Sequence, residues 1–458
     1  MVLRAAMPVV CDNIVSLFNL CTQIGHFPAC FKRALVVPVP KAPGAVSADD
    51  HRPISLLIVI SKLFERLGYE QMYAYIDPFL LQTQTGFRRG FSTEAALVWV
   101  SDQILANMDD KKISLFMLLD FSKAFDSVSH KILVKKLRLL GFDEIAIRWI
   151  SSYLSDRTQE TKIGCVRSAP GAVTAGVPQG SILGPLLFTL YAIDLPACIS
   201  HALCRQYADD TQMLYQYDPK NVQSLQSVQQ FIRGDLQNVS NWSMANCLKL
   251  NVGKSHALRV AARTLVTPHG YPVIELDGAI VEYVDFSRNL GVTFDMENSF
   301  KIHIDNVVKT AGQRLSNLSK VRHLMPQPLL RRTVKTTVIY PMMYGCAAWA
   351  SCNKTQIDRI QRMQNWAAKI IAGRHKFDHC SDVIRELGWL TVLELIRVKV
   401  TTLAYAAANG RFGADLQGLF RHLPHEHCTC SQTAGKFTLL QAPTDRGKRR
   451  SVSLAPLS

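Results

Sequence analysis

Two adjacent carboxylates, Asp209 and Asp210, lie in "QYADDTQMLYQ" (206–216), between "ALCRQYA" and "TQMLYQY", which carry β-favouring and apolar residues. The pattern predicts a hairpin with the acidic pair at its turn. Aspartate is a good turn residue, so turn chemistry alone could account for the pair. A third carboxylate weighs against that plain reading. "ISLFMLLDFSKAFDSVSHKIL" (113–133) opens with an apolar run, as expected of a strand buried on both faces, and the run ends at Asp120. A carboxylate there is costly unless it is solvated, paired or bound to metal. Capping of a following helix by "DFSK" is the simpler alternative. If the strand 114–120 lies beside the hairpin 203–217, Asp120, Asp209 and Asp210 converge. Three such groups repel one another, and their pKa values rise unless a cation joins them. Hard oxygen donors call for Mg²⁺, with Mn²⁺ as a substitute. Two such ions can activate a 3′-hydroxyl, stabilise a pentavalent phosphorus and assist a leaving pyrophosphate.

The elements that would position these groups fit a large mixed chain. Its 458 residues allow two or three domains, and 48% apolar content is enough for a sizeable core. Lys and Arg number 52 against 36 Asp and Glu, a net charge of +16, which suggests a polyanionic partner, most simply nucleic acid. The 12 cysteines are scattered without a CxxC pair, as in a reduced intracellular protein. No apolar run is expected to span a membrane. "TVIYPMMYGCAAWA" (337–350) is too short, and Asp12 and Asn13 interrupt the N-terminal stretch, which reads as an amphipathic helix. Residues 1–295 mix strand-like and helix-like pieces. Within them "VVPVPKAPGAV" (36–46) and "SAPGAVTAGVPQGSILGP" (168–185) read as loops from their Gly and Pro. Beyond Met296 the apolar spacing predicts helices over 300–324, 354–373 and 391–410.

The ordered set of motifs resembles the reverse transcriptase domain of non-LTR (LINE-type) retrotransposons. "YADDT" is similar to the family's catalytic hairpin, motif C, "LLDFSKAFDSVSHKIL" to motif A, and "GVPQGSILGPLLF" (176–188) to motif B. "DDHRPISLLIVISKLFERL" (49–67) and "QTGFRRGFSTEAAL" (84–97) resemble the fingers motifs, and "LKLNVGKS" (248–255) and "NLGVTFD" (289–295) resemble motifs D and E. "ADD" alone is a weak signal, whereas motif B and the order of the set are specific. The resemblance implies an α+β, right-hand polymerase fold: fingers and palm with an antiparallel sheet over 1–295, then a helical thumb over 296–375. A helical C-terminal segment over 376–422 and a basic, poorly ordered tail over 423–458 follow.

The same resemblance implies roles. Asp120 and Asp209 would bind both metals, with the Phe121 carbonyl as an accessory ligand and Asp210 as a weaker ligand or electrostatic support. Phe125 would be the aromatic gate that packs on the sugar and excludes a 2′-hydroxyl, where core packing is the plainer role. Gln179 and Gly180 would lie against the incoming nucleotide and template. Arg52 would hold the triphosphate, and Lys254 would protonate the leaving pyrophosphate. Asp126 would fix the local backbone, and Arg88 and Arg89 would touch backbone phosphate. The His/Cys runs at 422–430 and 374–380 match no standard zinc spacing.

The implied activity is RNA-directed DNA polymerisation with an RNA template, a DNA primer, dNTPs and two Mg²⁺ ions. Oligomeric state is left open. The endonuclease domain usual ahead of the polymerase is not in this sequence, so the chain is expected to be a reading frame cut from a larger element. A non-catalytic nucleic-acid-binding remnant and an RNA-dependent RNA polymerase are the alternatives. An intracellular setting with nuclear access is expected, with "DRGKRR" (445–450) as a basic import candidate.

Overall fold

A five-stranded sheet organises the chain. Its order is β14 (Tyr283–Val284), β11 (His256–Val260), β3 (Ile113–Leu119), β9 (Asp210–Tyr217) and β8 (Leu203–Tyr207). The structure is a computed structural model. It describes residues 5–375 and 377–410 and the backbone of 2–4, 421–422 and 437–438. The expected basic tail, with its His/Cys run and the 445–450 stretch, otherwise lies outside the described residues.

β3 runs antiparallel to both its neighbours, pairing Leu119 with Thr211 and Leu118 with His256. Its apolar run reflects a period of two with both faces covered. Leu115, Met117 and Leu119 enter one core, and Phe116 enters the other. The first core is closed by α2 (Val59–Ile76), α4 (His130–Leu139), α5 (Glu144–Leu154), α6 (Leu183–Tyr191) and α7 (Val222–Ala245). The second takes α3 (Thr93–Asp109) and the hairpin of β15 (Phe286–Asn289) and β16 (Val292–Asp295). A small hairpin, β12 (Glu275–Leu276) with β13 (Ala279–Ile280), precedes β14.

A second sheet, in the order β2 (His51–Leu56), β1 (Arg33–Pro40), β5 (Arg157–Ile163) and β6 (Val166–Arg167), builds the fingers side, with β7 (Gly171–Val173) on β5. Residues 36–40, which read as a loop from their prolines, are strand. β5 pairs with β1 only from Arg33 to Val36, so Pro38 and Pro40 stand where β2 alone flanks the strand. Such a position tolerates proline.

From Met296 the chain is helical, as its spacing predicts. It forms α8 (Lys301–Val321), α9 (Gln327–Val334), a π turn over 335–339 leading into α10 (Tyr340–Met342), α11 (Lys354–Ala372), α12 (Ser381–Glu386) and α13 (Val392–Ala408). Leu315 of α8, Ile360 of α11 and Val400 of α13 join the second core beneath the palm sheet.

The N-terminal helix α1 (Val2–Ile24) corrects one expectation. Its Ala5–Ile24 stretch, with mean hydropathy 1.4, is long and apolar enough to cross a membrane. Asp12 is the only charged side chain in those 20 residues, too little to break the apolar window. Phe18 of this helix is buried, stacked on Phe64 at 4.5 Å, while Val9 and Leu20 are exposed.

Candidate active site

The β8–β9 pairing ends at Tyr207 opposite Asp210, so the turn is Ala208–Asp209, and Asp210 begins β9. The turn therefore lies one residue earlier than the sequence places it. Ala208 takes a left-handed conformation, φ +58°. In the β3–β9 register the last pair is Leu119 with Thr211. One step further sets Asp120 opposite Asp210, and the three carboxylates share the end of the sheet.

Asp120 is held from its other side by the segment before β11. Its N–H donates to Ser255 Oγ at 3.2 Å, and its carbonyl accepts from the Asn251 N–H at 2.8 Å. It caps no helix: β4 (Phe121–Ser122) follows and pairs with β10 (Lys249–Leu250), and α4 starts only at His130.

Electrostatics register the crowding. Burial pushes the Asp210 carboxyl up to about 6, and the charges of Asp209 and Asp120 add to the effect against the pull of Arg52. Asp209 is raised by burial and by Asp120, again opposed by Arg52. Asp120 is raised by burial, while Lys254, the Asn251 side chain and Lys41 hold it down. Asp210 is exposed at the first position of β9, yet it stands beside Asp209 and Asp120, so its charged form is disfavoured.

The donor set is that of a hard cation: carboxylates and no thiolate. As placed, no three His, Cys, Asp or Glu side chains among the described residues stand close enough to hold one ion. The chemistry of the donors and their raised pKa values fit a divalent cation drawing them together.

The neighbouring loop is tied in from two sides. Ser55 of β2 donates its N–H to the Gln179 carbonyl at 2.7 Å, and Gln179 Nε2 donates to Asp126 Oδ1 at 3.0 Å. Asp126 therefore links two loops through its side chain, where the sequence suggested a purely local role. Gly180 has φ +101°, and a Cβ there would lie 2.9 Å from the Ser55 carbonyl, so the fingers strand passes against bare backbone. Phe125 stacks on Phe188 at 4.5 Å and is half-buried. The Phe121 ring is buried edge-on to Trp242, and its backbone pairs with Leu250.

Arg52 is exposed on β2, and its charge reaches Asp209 and Asp210. Lys254 is exposed, and its charge is the largest one acting on Asp120. Arg88 and Arg89 pair with carboxylates of the protein itself, where the sequence suggested backbone phosphate. Arg88 is half-buried, paired with Asp77 at 3.2 Å and bonded to the Leu81 carbonyl. Arg89 pairs with Glu70 and lies over the Tyr73 ring.

Two residues escaped the sequence reading. Lys41 follows Pro40, which pairs with His51, so it extends the same fingers hairpin as Arg52, and its charge acts on Asp120 while that of Arg52 acts on Asp209 and Asp210. Glu65, fully buried in α2, accepts the N–H groups of Ile182 at 2.8 Å and Leu183 at 3.2 Å. It anchors the entry to α6 and so the loop carrying Gln179. An acidic residue inside the apolar helix "VISKLFERL" was its only signal.

The family model described as reverse transcriptase (RNA-dependent DNA polymerase) matches residues 39–294, which hold all of these residues. The chain is 31% identical over 394 residues to a Drosophila melanogaster protein named "Probable RNA-directed DNA polymerase from transposon BS", covering 83% of this chain and 42% of that protein. It is 27% identical over 385 residues to the RNA-directed DNA polymerase from mobile element jockey of the same fly, covering 81% and 41%. The chain thus spans less than half the length of these relatives. Among solved structures, apo telomerase from Candida tropicalis is similar over 85% of this chain and 68% of that one, with 10% identity and a TM-score of 0.40, too coarse for residue correspondences. With more than half of its length matched by the family model and its relatives drawn from mobile elements, the chain belongs to the reverse transcriptase family, in the branch of the non-LTR retrotransposons.

Proposed function

We propose that the chain is an RNA-directed DNA polymerase that extends a DNA 3′ end on an RNA template with dNTPs. The observation that carries this reading is the register that sets Asp120 opposite Asp210 beside the Ala208–Asp209 turn. Asp120, Asp209 and Asp210, with the Phe121 carbonyl, would hold two Mg²⁺ ions. When bound, such ions lower the charge on the reacting phosphate and on the departing pyrophosphate.

The chain's own groups do the rest. Arg52 and Lys41 come from one fingers hairpin and offer charge to the triphosphate as it approaches the carboxylates. Gln179 and Gly180 form a surface under the incoming nucleotide, fixed by Ser55 and Asp126. Phe125 presents a ring edge to the sugar, which leaves no room for a 2′-hydroxyl. Lys254 donates a proton to the leaving pyrophosphate. The net charge of +16 supports a grip on template and primer.

Primer extension on poly(rA)/oligo(dT) with Mg²⁺ tests the reading. Extension by the parent chain, absent in the Asp209→Ala, Asp210→Ala double variant, is the expected result. Tight, salt-sensitive binding of the duplex with no extension would instead favour a nucleic-acid-binding chain without catalysis, which the charge also allows.

A further inference from the structure

Residues 83–87 form an extra edge on the palm sheet, laid against β8. Gln206 donates its N–H to the Thr83 carbonyl at 2.9 Å, and Thr85 returns its N–H to the Gln206 carbonyl at 2.8 Å. Thr85 Oγ1 donates to the same carbonyl. Gly86 lies so close to the acidic turn that a Cβ would stand 2.3 Å from the Ala208 nitrogen. The segment is therefore fixed to the turn that carries Asp209.

The next residue, Phe87, has φ +57°. For a bulky side chain this is a strained backbone state, and such strain persists where the surrounding structure over-determines it. Burial does not explain it, because Phe87 is 44% exposed. What the conformation achieves is a placement. The Phe87 ring stands edge-on to Phe125, with centroids 6.2 Å apart and planes at 89°, and 6.4 Å from the Tyr207 ring. Phe125 has Phe188 stacked on its face at 4.5 Å. Phe87 is thus a second aromatic contact of the ring that Phe188 supports.

We propose that Phe87 is a positioning residue for sugar selection: it holds Phe125 in the place where a 2′-hydroxyl would collide. The inference rests on the polymerase reading. A gate in contact with one ring alone rocks away from an extra oxygen more readily than one held by two.

Phe87→Gly is the telling variant. It removes the ring and suits the positive φ, so relief of backbone strain offsets the freedom that glycine adds to the unfolded chain. Incorporation of dTTP and of UTP is measured separately on poly(rA)/oligo(dT), as kcat/KM. The expected result is a rise of roughly tenfold in UTP use relative to dTTP, the scale on which one small group is discriminated in an apolar pocket. Phe87→Leu, which keeps bulk without the ring, should fall between parent and glycine variant. A glycine variant that extends with dTTP and keeps the parent's UTP/dTTP ratio overturns the proposal alone. A parent chain that extends with neither nucleotide overturns the polymerase reading and this inference with it, and the two failures show in different samples.

Discussion

The Gln179 side-chain amide donates to the Asp126 carboxylate across 3.0 Å, which binds the loop after Gly176 to the segment that follows Asp120. A hydrogen bond to a charged acceptor is worth about 1.5–3 kcal/mol, and here it acts on position more than on stability because Asp126 is exposed. Gln179→Ala should lower the primer-extension rate roughly tenfold or more, with the melting temperature nearly unchanged. In a double-mutant cycle, Asp126→Ala should add little to it. Fully additive losses would show that the two side chains act separately.

The carboxylate cluster makes the metal-free protein less stable at neutral pH. Asp210, raised to about 6 by burial and by its acidic neighbours, binds more protons folded than unfolded between its ordinary value and about 6. Stability from this group is present at low pH and is lost as pH rises through that window. Asp210→Asn should therefore melt higher than the parent at pH 8 without metal, and the advantage should vanish near pH 4. Added Mg²⁺ should raise the parent's melting temperature more than the variant's. Equal responses to Mg²⁺ would remove Asp210 from the ligand set.

The site was legible where its signals are local. Asp120 closes an apolar run, and Asp209 and Asp210 stand between two β-favouring apolar segments, so strand identity and position could be read within a few residues of each. The helices after Met296 were equally open to their 3.6-residue spacing. What stayed hidden depends on pairing across the chain. Lys41 joins the site because Pro40 pairs with His51, and Phe87 because residues 83–86 sit against Gln206 and Ala208. Arg88 misled for a chemical reason. A guanidinium suits phosphate and carboxylate alike, and only the fold brings Asp77 to it. In β1, proline composition outweighed an edge position that no local window reveals.

Glu65 should prove a structural anchor for that loop. It is fully buried and accepts from Ile182, Leu183, Ser61 and Tyr153. Glu65→Leu strands the two backbone N–H groups at the start of α6, at a cost of about 2–4 kcal/mol. Glu65→Gln keeps one acceptor oxygen and should recover about half of that. Urea unfolding of the three proteins measures it. A leucine variant as stable as the parent would mean that α6 is held by packing alone.

His303 should make the junction of palm and thumb sensitive to acid. It lies in α8, nearly buried, and its Nδ1 accepts the Thr293 N–H from β16 at 3.3 Å. Burial, and then the Arg288 charge, press its pKa down to about 4. The unfolded chain, titrating near the ordinary value of 6.5, binds the proton more readily. Stability from neutral His303 is thus complete above about pH 6.5 and falls as pH drops toward 4. The gap corresponds to roughly 3 kcal/mol at the acid end. Its sign is opposite to that of Asp210 in the same window, so the parent's own pH profile mixes the two. The difference between parent and His303→Leu isolates the histidine. That difference should shrink steadily from pH 7 to pH 4 in urea titrations. A difference that stays constant with pH would mean that His303 titrates alike in the folded and unfolded states, and that the Thr293 bond does not fix its neutral form.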